Sequence, residues 1–543
     1  MKTTNLFRCL IALALGALVL GIGLPGYASE PVTPIPAGPE TSLPDYIGQP
    51  AKARPLPNSG VPQNPYFAPN PFSLAHSDIW MSDTADLPGP LGRNPVVSST
   101  SLAEIERISW IASGGNMAFD SHGRPLVFLF GNNWASVALL DPDTLDVVSS
   151  YPLKAREGIG GEGAQQTPFS AWSIYAYLDN RDQIHIVAES KILLTLEIVD
   201  TPSGPKFQEG GEYDLTELVN KGTEDPSDDD RVTGVVMDFQ GRYWINLGTS
   251  SMIYLLNPET APEEIKDLPH VLLDIDGDGD EKTRNGTALT REGAAYIVTT
   301  EAMYRVDAGA DDQPRIVWQE PYDSIGVVRP GQYELGSGTT PTILGEGKYV
   351  AITDNAEQLQ VVVYRTAPDE ELEPDQRRVV CEVPVFDFTE GGAGAGSNSL
   401  VGLHNSIIAQ NTADYLFDWK TGTLTTPGRP GMERIDIDPN GKGCTKVWVN
   451  TEVHTNMVMK LSTRNGLIYT QDRKYDATND VYAVYWVALD FRTGGVVWEK
   501  LAGTFERKGL ATFDNFWAAI GLGPNGALYG ANYGGITMLR DTP

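Results

Sequence analysis

Val235-Val-Met-Asp-Phe-Gln-Gly-Arg-Tyr-Trp-Ile245 sets an Asp and a Gly between two β-rich runs. That is the composition of a hairpin, because branched and aromatic side chains favour strands while Asp and Gly accept a tight turn. The pattern returns in Met117-Ala-Phe-Asp-Ser-His-Gly-Arg-Pro-Leu-Val127 and in Ile520-Gly-Leu-Gly-Pro-Asn-Gly-Ala-Leu-Tyr529. Weaker copies turn near Asn180, Glu292, Gly345, His404 and Asn465. With the turns set at Gly123, Asp182, Gly241, Gly293, Gly345, Asn405, Gly466 and Gly526, the spacings are 59, 59, 52, 52, 60, 61 and 60. A β-sandwich lacks so long a period, and a TIM barrel needs amphipathic helices that this chain does not supply. The reading is an all-β fold, a single propeller of about eight four-stranded blades.

After the last turn only Ala527 to Tyr529 and Gly535 to Leu539 remain as strand-like sequence. That is too little for a whole blade. An N-terminal strand is therefore expected to complete the ring and remove an exposed edge, and Ile105 to Ile111 is the candidate.

Some repeat endings carry a further pattern. Ala488-Leu-Asp490-Phe-Arg-Thr493-Gly494-Gly-Val-Val-Trp498 resembles the Ala-x-Asp-x-x-Thr-Gly-x-x-x-Trp repeat of quinoprotein-like propellers. Asp418-Trp-Lys-Thr421-Gly422 is a shortened copy and Leu140-Asp141-Pro-Asp-Thr144 a weaker one. The local logic is that Asp caps a turn, Gly takes the positive φ and Trp packs between blades. The resemblance spans residues 110 to 543 and implies the superfamily fold, not an activity. Quinoprotein alcohol dehydrogenases hold pyrroloquinoline quinone over a disulfide of neighbouring cysteines. No adjacent Cys-Cys pair stands here, which argues against that cofactor.

The chain begins with Lys2 and Arg8, an apolar run from Leu10 to Leu24, and small residues at Gly26 and Ala28. This is the pattern of a signal peptide over residues 1–28, so a secreted or periplasmic protein is expected. Residues 29–100 read as a Pro-rich leader on or beside the body, which takes residues 101–543. Twelve prolines among residues 31–71 leave no ladder strand or helix there. The formal charge of −31 becomes −33 once Lys2 and Arg8 leave. Such a surface repels phosphate backbones and anionic lipid, so neither nucleic acid nor membrane is expected as a partner. A small molecule, a glycan or a protein remains open. Cys9 departs with the signal, and Cys381 and Cys444 are read as a disulfide.

Asp274-Ile-Asp276-Gly-Asp278-Gly-Asp280 is the sharpest chemical motif. Alternating carboxylates suit a calcium ion that takes six to eight oxygens, although Asn285 stands where an EF-hand carries its bidentate Glu. Candidate catalytic groups are His76 with Asp78, His404, and His454 with Glu452, each histidine having polar neighbours able to orient its ring. His122 and His185 read as structural. Polar clusters near strand ends, such as Thr353-Asp354-Asn355, Asn398, Asn411 and Asn532, converge in a propeller on the central channel. The functional reading is a propeller that binds a small or extended ligand at its channel mouth. The rivals are an enzyme (a hydrolase or lyase on the His/Asp groups, or a divergent oxidoreductase) and a non-catalytic protein- or glycan-binding scaffold.

Overall fold

Seven of the eight turn positions read from the sequence have a left-handed backbone: Gly123, Asp182, Gly241, Gly293, Gly345, Gly466 and Gly526, with φ between 59° and 93°. At the remaining turn the residue that does so is His404, φ 52°, beside the expected Asn405. These turns are found in a computed structural model that describes residues 33–101, 113–131, 134–153, 175–219, 230–332, 335–387, 394–418, 421–515 and 517–543. Each turn joins the first and second strands of one blade. The first strands, which line the channel, are Ser113–Phe119, Tyr177–Leu178, Val232–Met237, Ala288–Leu289, Thr342–Leu344, Val401–Leu403, Lys460–Ser462 and Gly521–Leu522. Among the described residues they open eight sheets whose four blade strands run antiparallel, blades 1 to 8 in chain order.

The Asp of the repeat closes its turn from both sides. In blade 3 one oxygen of Asp238 accepts the N–H groups of Gln240 and Arg242, and the other accepts Arg242 Nε and Trp244 Nε1. Arg242 then reaches Asp312 in blade 4, as Arg124 of blade 1 reaches Asp200 in blade 2. One Asp-x-x-Gly-Arg string thus sets a turn and ties a blade to its neighbour. Second strands such as Tyr243–Leu247 are buried along their whole length, and their aliphatic side chains stabilise by roughly 1.5–3 kcal/mol each relative to exposure.

The Asp490 motif lies where the sequence places it, between the third and fourth strands of blade 7, Val481–Asp490 and Val496–Glu506. Asp490 accepts the N–H groups of Arg492 and Thr493, Gly494 has φ 70°, and Trp498 is fully buried. Its shortened copy differs. Asp418 and Gly422 flank the tip of an extra hairpin, Tyr415–Asp418 with Thr423–Pro427, inserted between the second and third strands of blade 6. That hairpin leans on the segment before blade 8, through Ala511 N–H to Gly422 O.

Closure is by an N-terminal strand, with a correction to its position. Pro95–Ser101 pairs with Gly535–Asp541, Pro95 opposite Asp541 and Ser101 opposite Gly535. This strand comes from the stretch read as leader, and Ile105 to Ile111 lies outside the described residues. The leader also clamps blade 7, with Tyr46–Gly48 on its outer edge and Thr84–Ala85 parallel to its inner strand. Prolines removed the local strand signal, but isolated edge pairings need only a few donors. Cys381 and Cys444, on the last strands of blades 5 and 6, form a disulfide with Cα atoms 5.9 Å apart.

Candidate binding site in the central channel

Ser73 to Ala85 is buried at every position and plugs the channel. Its backbone is read by one blade after another. Phe119 N–H donates to Phe72 O, Leu178 to Ser73 O, Leu289 to Ile79 O, Ile343 to Trp80 O, Gly402 to Ser82 O and Leu461 to Asp83 O. Those donors come from blades 1, 2, 4, 5, 6 and 7, and Asn64 supplies blade 3 by donating to Met237 O. A segment satisfied by the ring around it needs no regular structure of its own. Three non-glycine residues take left-handed backbone here, Ser77 at 73°, Met81 at 55° and Asp83 at 52°.

Polar groups hold the plug shut. Asp78 accepts the N–H of Trp80 at 2.9 Å and the hydroxyl of Ser82. Burial pushes its carboxyl up to about 7, against the opposing pull of those hydrogen bonds. Lys460 donates to Asp83 Oδ1 at 2.7 Å, Ser77 Oγ at 2.8 Å and Ala75 O at 3.1 Å. The other Asp83 oxygen lies 2.9 Å from His76 Nδ1, and His76 Nε2 lies 3.4 Å from Ser399 Oγ. A carboxylate only accepts, so Nδ1 carries the proton of a neutral ring and Nε2 faces Ser399 as an acceptor. Beside His76, a cavity of about 10 Å³ walled by Leu74, Tyr175, Val236 and Thr287 has room for one water.

Above the plug, where the inner strands begin, polar side chains converge from blades 5, 6 and 7. Among the described residues, Thr353 Oγ1, Ser397 Oγ, Asn398 Oδ1, both ends of Gln410, Asn456 Nδ2 and Gln471 Nε2 are buried without a hydrogen-bond partner. Some of them are linked by contacts. Gly396 backs onto the Thr353 side chain, Asn398 Nδ2 donates to Asn456 O at 2.9 Å, and Gln471 Oε1 accepts from Asn532. The charges at this end are answered in pairs: Asp472 with Lys474, and Asp514 with Arg473 at 2.8 Å. Asp354 is pushed up to about 7 by burial, and it accepts from Gln360.

The sequence candidates separate in space. His76 and Asp78 are in the plug, but the carboxylate on His76 is Asp83. His404 is exposed in the blade 6 turn, at the opposite end of the inner strand from Ser399. His454 lies near the mouth, its N–H on Asp472 at 2.8 Å, while Glu452 is exposed. Asp83, Lys460 and Ser399 escaped the sequence reading, and no local motif marks them. The clusters at Thr353, Asn398, Asn411 and Asn532 were the usable signal.

The Asp loop lies between blades 3 and 4. Carboxylate oxygens of Asp274, Asp276 and Asp278 lie within 4.8 Å of one another, and Asp280 follows. Asn285 turns away to Ser337 O. Glu281 folds beneath the loop instead, buried, accepting Ile275 N–H and the Tyr304 hydroxyl. Burial, helped by a hydrogen bond to Asp280 and repulsion from Glu281, Asp280 and Asp276, pushes Glu301 up to about 7.

These features define an eight-bladed propeller with a plugged channel and a polar mouth. No family model matches the chain. It is 26% identical over 279 residues to an uncharacterised protein of Archaeoglobus fulgidus, covering 48% of this chain and 52% of that one. The chain thus spans about half the length of that curated relative. Among solved structures it is similar to a europium-containing methanol dehydrogenase, with a TM-score of 0.45, 11% identity, 87% of this chain and 98% of that one. It is also similar to a streptogramin B lyase, with a TM-score of 0.37, 10% identity, 82% of this chain and 98% of that one. A periplasmic gluconolactonase of Pseudomonas aeruginosa gives a TM-score of 0.34, 12% identity, 73% of this chain and 85% of that one. The assignment of fold rests on the blades themselves.

Proposed function

We propose that the protein is a secreted or periplasmic propeller that binds a small, uncharged, polyhydroxylated ligand, a sugar or glycan end, at its plugged channel mouth. The observation that carries this is the set of unpartnered groups on Thr353, Ser397, Asn398, Gln410, Asn456 and Gln471. Burying such a group unpaired costs about 1–3 kcal/mol, so a fold gains nothing from keeping several together. The set mixes donors and acceptors, and a hydroxyl both donates and accepts. Asp472 and Asp514 at this end are paired with Lys474 and Arg473, which favours a neutral ligand. The plug closes the channel below and gives the site a floor. An oxidising compartment agrees with the disulfide and the signal-like N-terminus, and the acidic surface disfavours nucleic acid and anionic membrane.

The test is calorimetric titration with a panel of neutral mono- and oligosaccharides and polyols, using wild type and Gln410→Leu. Gln410 has no partner at either end, so the substitution should leave the melting temperature unchanged or higher while removing binding. A panel without binding, or binding indifferent to Gln410→Leu, sinks the reading. The loop from Asp274 to Asp280 is proposed as a calcium site that steadies the connection between blades 3 and 4, with Glu301 in reach of the same charge. Pyrroloquinoline quinone has no place in this proposal.

A further inference from the structure

We infer that Ser399, His76 and Asp83 form a nucleophilic relay at the floor of the channel mouth, able to open a carboxylic ester. The inference rests on the mouth being the ligand site and adds chemistry to it. Ser399 Oγ lies 3.4 Å from His76 Nε2, and His76 Nδ1 lies 2.9 Å from Asp83 Oδ2. Nucleophile, base and orienting carboxylate stand in the order that acyl transfer requires, and the first distance is of the kind that tightens on binding substrate. All three side chains are buried, His76 at 6% exposed, Ser399 at 4% and Asp83 at 0%, so an ester reaches Ser399 only if the wall around it yields.

Two independent features point to the same place. The residues around His76 are held in costly backbone, Ser77 and Asp83 both left-handed, and such strain gathers where geometry is under functional constraint. Ser399 also follows directly on Ser397 and Asn398, whose buried hydroxyl and side-chain carbonyl have no hydrogen-bond partner among the described residues. Lys460 fixes the far oxygen of Asp83 at 2.7 Å. It holds the carboxylate in place against the ring.

The step balances without any outside reductant or oxidant. Ser399 Oγ attacks the ester carbonyl carbon while its proton passes to His76 Nε2, and the carbonyl π pair moves onto oxygen. The unpartnered Asn456 Nδ2, whose backbone carbonyl is held by Asn398, is an available donor to that oxyanion. Collapse breaks the bond to the alcohol, which leaves with the proton from His76. Water then attacks the acyl-Ser399 bond, gives its proton to His76, and the acid departs as Ser399 recovers its proton. Asp83 is a positioning residue here.

The full chain is incubated at neutral pH with a fluorophosphonate probe, and the modified peptide is located by mass spectrometry. The expected result is an adduct on Ser399, absent in Ser399→Ala and lost in His76→Gln. The rate of labelling should follow a single ionisation, and in Asp83→Asn the midpoint of that profile should move to lower pH. An unmodified Ser399, an adduct on another serine, or a rate simply proportional to hydroxide in wild type overturns the relay. The last measurement uses wild type alone, so it decides the matter even where the variants fail to fold. If sugars bind and Ser399 stays unlabelled, the relay falls and the binding site stands; if sugars do not bind, the proposed function itself falls.

Discussion

Two polar stretches of this chain, residues 73–85 and 274–280, have opposite fates. The first is buried throughout, with Asp83 paired to Lys460, carbonyls that accept from the blades and N–H groups such as those of Ser77, Asp78, Met81 and Asp83 that donate within the segment. The second is largely exposed, and three of its carboxylates have oxygens within 4.8 Å of one another. The difference lies in desolvation. A buried charge must carry its own counterion in the fold, whereas a solvated cluster can wait for one from solution. The plug's charges are therefore expected to weigh on folding stability, and those of the loop on its response to added calcium.

The largest effect should come from the plug. Lys460→Met leaves Asp83 charged and buried and should cost about 3–5 kcal/mol in urea unfolding. Adding Asp83→Asn, which tolerates the left-handed backbone, should recover part of that loss. At the exposed loop, Asp276→Asn without calcium should stay within about 0.5 kcal/mol. Equal costs at the two sites would erase the contrast. Next comes the covalent tie between blades 5 and 6. Cys381→Ser with Cys444→Ser should lose roughly 2–4 kcal/mol and add to the Lys460→Met loss, because the outer edge and the plug share no partner. Strong non-additivity would mean that they open as one unit.

The blades were legible because their signal repeats. Each turn needs a left-handed residue and each buried strand an apolar run, so every copy strengthens the others. The plug was not, since its shape is imposed by donors from separate blades. Lys460 and Asp83 are 377 residues apart, and Ser399 and His76 are 323 apart. Nothing local ties such residues together. The same reason misplaced the closing strand: Pro95–Ser101 is defined by its partner Gly535–Asp541 rather than by its own composition. His404 attracted notice as a histidine beside Asn405, and the fold places it in the blade 6 turn with φ 52°, away from the other candidate histidines.

A third effect separates the two stretches by pH. Asp78 stands at about 7 in the fold against 3.8 for the free group. Between those values the folded chain holds a proton that the unfolded chain has released, so this group's contribution falls as pH rises through that window. Wild type should therefore gain on Asp78→Asn by on the order of 2 kcal/mol as pH drops from 8 to 5. The comparison is read as the difference between two denaturation series. Parallel series would show that Asp78 ionises freely and that the plug is wetter than its burial implies.

The smallest effect tests the loop. Calcium that binds only the folded chain stabilises it by about 1.4 kcal/mol at ten times its Kd. Protein stripped with chelator should therefore melt lower than the same protein in millimolar calcium, and Asp276→Asn with Asp278→Asn should abolish the difference. Glu301 supplies the sign of the pH dependence. Its carboxyl is raised to about 7 by burial and by neighbouring carboxylates, so at pH 6 it holds a proton that a nearby cation would have to displace. At pH 8 it is ionised, the loop repels itself more strongly, and the ion relieves more. The calcium-dependent rise should thus be larger at pH 8 than at pH 6, and binding at pH 7 should release protons, measurable as a buffer-dependent heat. Equal melting temperatures with and without calcium at both pH values would leave the stretch an acidic turn, and a larger rise at pH 6 would take Glu301 out of the site.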